Sequence, residues 1–131
     1  MIVDDDTRIR KLITSIVSDL TTEIFECGDG RLAQGDYAAH RPDLVLMDLA
    51  MPGVDGIAAT RLIRLYDPDA KIIIVTSHDG RAIRETARAA GACAFVLKEE
   101  ISSLRAIILD QVNEGEMWNV SDRDNYGARR S

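Results

Sequence analysis

Carboxylates stand at two far-apart places where a short apolar run ends. Met1-Ile-Val3 runs into Asp4 and Asp5, and Asp43-Leu-Val-Leu-Met47 runs into Asp48. Two further runs end on Thr76-Ser77 and on Lys98. When such runs are neighbouring parallel strands, the residues just past them share one edge of the sheet, which is where open parallel sheets bind ligands. Two unit charges about 4 Å apart repel by roughly 4 kcal/mol at an effective dielectric near 20, so carboxylates gathered there need positive charge between them. Oxygen donors with no neighbouring His or Cys favour a hard divalent cation, and magnesium commonly takes one or two carboxylates, waters and a phosphate oxygen. A magnesium site beside a carboxylate, a hydroxyl and a lysine has the parts for phosphoryl transfer, with Asp48 as the natural nucleophile.

The elements that must position these residues are legible as alternating periods. Ile9, Leu12, Ile13, Ile16, Val17 and Leu20 recur at three-and-four spacing, so a helix is expected from Thr7 to Leu20 with that face buried. Asp43 to Met47, Lys71 to Val75 and Cys93 to Leu97 are continuous apolar runs rather than alternating ones, as strands covered on both faces require. Met1 to Val3 and Thr22 to Glu26 are candidates for two further strands. Helices are expected over Arg31 to His40, Asp55 to Tyr66, Gly80 to Ala90 and Ser102 to Val112, the second weakened by Gly35. Five β-α repeats predict an α/β fold, a parallel sheet with right-handed crossovers and helices on both faces.

Composition narrows the class. The chain has 131 residues, 46% hydrophobic and 29% charged, which suits one soluble domain rather than two. No run approaches the roughly 20 apolar residues of a membrane helix, and the early acids are unlike a secretion signal, so a cytoplasmic location without membrane contact is expected. A formal charge of −6 argues against direct nucleic-acid binding. Cys27 and Cys93 lack metal or redox spacing and are expected as free, packed thiols. Asp6 is expected to cap the first helix, while His78 and His40 are expected to be bystanders. From Asn113 to Ser131 the chain turns polar and loses period, so the domain is expected to span 1–112 and the remainder to be a disordered tail, in which Trp118 is a weak docking signal.

Taken together, Val3-Asp4-Asp5, Leu46-Met47-Asp48-Leu49-Ala50-Met51-Pro52-Gly53-Val54-Asp55-Gly56, Val75-Thr76-Ser77 and Val96-Leu97-Lys98 closely resemble the receiver domain of two-component response regulators, over about residues 1 to 112. The resemblance implies a flavodoxin-like (βα)5 fold with strand order 2-1-3-4-5. It implies a signalling domain rather than an enzyme, with Asp48 as phosphoacceptor for the phosphohistidine of a sensor histidine kinase or phosphotransfer protein. Asp5, Asp48 and the Ala50 carbonyl would hold Mg2+ (or Mn2+) directly and Asp4 through water, while Thr76 and Lys98 would grip phosphoryl oxygens. Thr76 and Phe95 would form a switch, acting on an unnamed downstream protein target through the fourth helix, fifth strand and fifth helix, with a homodimer among the possible outputs.

Departures from the family pattern are confined to a few positions. Only three residues precede the acid pair, so the first strand is a stub or begins upstream. Glu99 and Glu100 stand where the family often has Pro, Phe95 lacks a hydroxyl, and Ala50 offers no side chain beside the site. Rival readings are a receiver-like module that binds without phosphorylation, the excised receiver of a larger regulator, and a haloacid dehalogenase-type phosphatase. The last is disfavoured because Arg8 stands where that family wants Thr or Val.

Overall fold

The structure, a computed structural model, describes residues 1–114. Five parallel strands, β1 (Ile2–Val3), β2 (Glu26–Cys27), β3 (Val45–Met47), β4 (Ile72–Thr76) and β5 (Ala94–Leu97), form one sheet in the order β2-β1-β3-β4-β5. Between and after them run α1 (Thr7–Val17), α2 (Ala33–His40), α3 (Gly56–Tyr66), α4 (Arg81–Ala89) and α5 (Leu104–Glu114). This is the expected α/β topology. Every residue of β1, β3, β4 and β5 is buried, which is why their sequences run apolar without alternation.

Two cores lie on opposite faces of the sheet. Residues of α2, α3 and α4 cover one face, with Ala33, Tyr37, Ala59, Ile63 and Ala87 packed on Val45, Met47, Ile72, Ile74 and Phe95. On the other face, Ile13 and Val17 of α1 and Leu104, Ile107 and Ile108 of α5 pack on Leu46, Ile73, Val75 and Val96. Each fully buried Val, Leu, Ile, Met or Phe among them contributes roughly 1.5–3 kcal/mol, so β4, buried along all five residues, is the pillar of the domain.

Several expectations are corrected in detail. The second strand is Glu26–Cys27 rather than Thr22 to Glu26. Thr21 folds its hydroxyl onto Glu23, donating to the carbonyl at 2.9 Å and accepting from the amide at 3.3 Å, and β1 offers only two residues to pair with. Beneath the start of β1 an open cavity of about 740 Å³ is bounded in part by Met1, Ile24, Phe25 and Leu44. Leu12 and Val112, both assigned to buried stripes, are exposed at 44% and 56%. The helices beginning at Arg31 and Ser102 open instead as 3-10 turns, Gly30–Leu32 and Lys98–Ser103. Gly35 meets no atom that a Cβ would touch, so α2 keeps it on the solvent side. Helix α5 runs two residues past the expected boundary at 112, and the tail reading, from residue 115 onward, lies outside the described residues.

Candidate functional site

Strand register brings the acids together. Val3 pairs with Met47, and Asp48 N–H donates to the Val3 carbonyl at 2.9 Å, so the residues one step further on, Asp4 and Asp48, emerge side by side. On the next strands Thr76 pairs with Leu97, which puts Thr76 alongside the residue that precedes Lys98. The sequence-predicted polar residues therefore lie at the carboxyl edge of the sheet, Thr76 as the last residue of β4 and the others just past the ends of β1, β3 and β5.

Asp4 is held at three points. Its carbonyl accepts from Arg10 Nη1 at 2.6 Å, its Oδ1 accepts from the Asp6 amide at 2.8 Å, and its Oδ2 lies 2.8 Å from the Lys98 ammonium. Asp6 in turn caps α1, its Oδ1 accepting from Arg8 N–H at 2.9 Å, as expected. The same Lys98 ammonium lies 3.3 Å from Asp48 Oδ1, bridging the two buried carboxylates. Asp5 is exposed at the mouth.

The electrostatics show how far one lysine balances this cluster. Burial and then the Asp4 charge raise the Asp48 carboxyl above its ordinary value, against the pull of Lys98 and the Ala50 backbone. Burial disfavours the Lys98 ammonium, but its bonds to Asp4 and Asp48 outweigh this and raise its pKa. Negative charge thus remains in excess around Asp48.

Carboxylate oxygens of Asp4, Asp5 and Asp48 lie within 4.8 Å of one another, and Asp4 Oδ2 is sealed from solvent without an aligned hydrogen bond. Magnesium prefers oxygen ligands at about 2.0–2.1 Å, so a cluster of this span and chemistry fits a hard divalent ion with water completing its shell.

Helix α3 pins the loop that follows Asp48. Asp55 caps α3 by accepting from Ala58 N–H at 2.8 Å, and Gly56 N–H donates to the Leu49 carbonyl at 3.0 Å. A Cβ on Gly56 would stand 2.0 Å from the Asp48 carbonyl, so this helix start fits directly under the acid only because position 56 is glycine. Within that loop Ala50 is exposed.

Thr76 is fully buried, its hydroxyl accepting from His78 N–H at 3.2 Å. Phe95, 2% exposed, belongs to the core on the α2-α3-α4 face. His78 and His40 are exposed, His40 stacking on Phe25 far from the acids. Cys27 and Cys93 are free, and burial raises both thiols.

Arg10 escaped the sequence reading. It spans α1 and β2, with Nε 2.9 Å from Glu26 Oε1, and it holds the backbone of the first acid. The pattern of α1 gives it no mark that separates it from a solvated charge.

The sequence pattern of the response regulator receiver domain matches residues 1–109. The chain belongs to the response regulator receiver family. As a receiver domain it is 36% identical over 99 residues to the chemotaxis protein CheY of Thermotoga maritima, covering 75% of this chain and 82% of that protein. Its fold matches the crystal structure of a LuxR-family two-component response regulator from Aurantimonas sp. SI85-9A1 with a TM-score of 0.85 at 32% identity, over 99% of this chain and 94% of that one. A CheX-CheY-BeF3-Mg complex from Borrelia burgdorferi matches with a TM-score of 0.74 at 30% identity, over 85% and 83%. This receiver is therefore a flavodoxin-like signalling domain of the two-component type. Among the described residues no helix is long and apolar enough to cross a membrane.

Proposed function

We propose that this receiver takes a phosphoryl group on Asp48 from the phosphohistidine of a sensor histidine kinase or phosphotransfer protein. The observation that carries this reading is the Lys98 ammonium bridging two buried carboxylates that it does not fully neutralise. A carboxylate oxygen of Asp48 attacks phosphorus in line, an O–P bond forms and the N–P bond breaks. The donor imidazole leaves with the electron pair and takes up a proton. Lys98 is already in the site and turns from the carboxylates toward the incoming oxygens, where charge develops. Thr76, one strand away, supplies a hydroxyl to the same group.

Asp5, Asp48 and the Ala50 carbonyl would hold a magnesium or manganese ion, with Asp4 reached through water, and the ion would supply charge neutralisation at the phosphoryl oxygens. The acyl phosphate then favours the state in which Thr76 and Lys98 engage it, and the population shifts accordingly. Output passes through α4, β5 and α5 to a protein target or to a second copy of the chain. The match to a CheX-CheY-BeF3-Mg complex supports the reading of an ion beside a phosphoryl-like group and of a protein partner.

The test is acetyl phosphate with magnesium, read by intact mass beside Asp48→Asn and a magnesium-free control. A single phosphoryl adduct confined to the wild type with magnesium is expected. An equal adduct on Asp48→Asn refutes the assignment. Failure of both acetyl phosphate and beryllofluoride favours a receiver-like binding module, and steady turnover of a generic phosphate monoester favours a phosphatase.

A further inference from the structure

The β4-α4 loop carries a second constellation that the phosphoryl site does not use. Asp79 Oδ1 accepts from Gly80 N–H at 2.7 Å and from Arg84 Nε at 2.9 Å. The Arg84 guanidinium then lies over the Phe95 ring, its central carbon 4.6 Å from the ring centroid. Phe95 is 2% exposed, although it sits on the edge strand of the sheet. One face of the ring is thus covered by a charged side chain whose orientation is fixed by a carboxylate on the loop that follows Thr76.

We infer that Asp79 and Arg84 form a latch that positions Phe95 in its buried state before any phosphoryl group arrives. Arg84 is the lid, since a planar guanidinium can lie flat on a ring and bond a carboxylate at its edge at once. Asp79 is the pin: bonded to the amide of Gly80, the residue that precedes α4, it holds the guanidinium over the ring and reduces the freedom lost when the lid closes. Gly80, at φ +140, makes the turn that lets one carboxylate oxygen reach both partners. Turning Phe95 outward removes the aromatic face from Arg84, so the latch favours the buried state by the strength of the cation-π contact. For a contact of this exposure that is roughly a two- to five-fold change in the ratio of buried to outward Phe95.

The consequence for signalling rests on the proposed function. If Phe95 burial belongs to the output state, the latch sets the resting level of output, and any partner that takes Asp79 or Arg84 for itself changes that level without touching Asp48. The latch itself is independent of phosphorylation and is tested without it.

The chain holds two phenylalanines, so biosynthetic 4-fluorophenylalanine gives two fluorine resonances, and Phe25→Leu assigns them. In metal-free protein the Phe95 signal of the wild type should show little shift between light and heavy water, as a buried ring does. Arg84→Ala and Asp79→Ala should each raise the solvent-exposed fraction by roughly two- to five-fold. Combining them should add little beyond Arg84→Ala, because the two residues act as one device. An unchanged Phe95 signal in Arg84→Ala overturns the inference, as does an Asp79→Ala effect that adds fully to that of Arg84→Ala. Adding beryllofluoride and magnesium to Arg84→Ala separates the two ideas. A latch response in metal-free protein with no beryllofluoride adduct leaves the latch standing and removes the phosphoryl reading.

Discussion

Replacing Asp48 by Asn should make the metal-free domain more stable, even though it removes a contact to Lys98. With carboxylate oxygens within 4.8 Å of one another, two full charges at that separation repel by roughly 3.5 kcal/mol at an effective dielectric near 20. Lys98, at 2.8 Å from Asp4 and 3.3 Å from Asp48, returns part of this. The sign of the balance follows from the Asp48 carboxyl, which burial and Asp4 raise above its ordinary value despite the lysine. Its charged form is therefore a net destabiliser. Asn keeps the shape and removes the charge, so a gain of about 1–3 kcal/mol at neutral pH is expected, or a rise in Tm of roughly 4–11 °C. The pH dependence fixes the cause. A carboxyl whose folded pKa lies above its unfolded one contributes stability below the unfolded pKa, and that contribution is lost as pH rises through the folded value. The gap between Asp48→Asn and wild type should therefore be full at pH 7 and close on acidification toward the ordinary carboxylate range. Calorimetry in EDTA across pH reads this directly, and magnesium should narrow the gap at pH 7 by stabilising the wild type more. An Asp48→Asn protein that is less stable than wild type in EDTA, or a gap that widens on acidification, refutes the reasoning.

Two further outcomes test the scaffold around the site. Gly56→Ala drives a Cβ to within 2.0 Å of the Asp48 carbonyl, so α3 must retreat from the acid loop; a loss of about 2–4 kcal/mol in urea unfolding is expected, together with slower acetyl phosphate labelling. Adding three strand-forming residues ahead of Met1 should extend β1 between the chain around Phe25 and Leu44, fill part of the cavity there and raise Tm by several degrees, each new ladder bond contributing about 1 kcal/mol. No change in Tm would count against Ile2–Val3 as the start of a strand that can be lengthened.

The acids and the lysine were legible because each ends an apolar run, and parallel strands buried on both faces leave no other place for such residues than the sheet edge. Asp48 and Lys98 are separated by fifty positions in sequence, yet the β-α repeat alone brings both to that edge. Strand β2 was misplaced for the opposite reason: its extent is set by how much of β1 it can pair with and by the Thr21-Glu23 turn, and neither is a property of its own residues. The entry into α5 was likewise hidden, since the 3-10 stretch from Lys98 bends at Glu100 and is held by Ser103 Oγ donating to the Glu100 carbonyl at 2.7 Å. Nothing in the sequence separates Arg10 or Arg84 from a solvated charge on a helix surface, and their contacts to Asp4, Glu26 and Phe95 exist only once the chain is folded.

The three-point hold on Asp4 has a kinetic corollary. Its carbonyl belongs to Arg10 and its Oδ1 to the Asp6 amide, while only Oδ2 faces a partner on a long, unbranched arm. At Asp4 an entering cation would therefore displace one lysine head group and no backbone. The protein's own share of loading would be a side-chain rotation, which takes picoseconds to nanoseconds when unhindered, and the slower step would be the shedding of water by the ion itself. On the proposed reading the pace of ion exchange would then be set by the dehydration of the ion rather than by the protein, whose backbone anchors on Asp4 stay in place throughout.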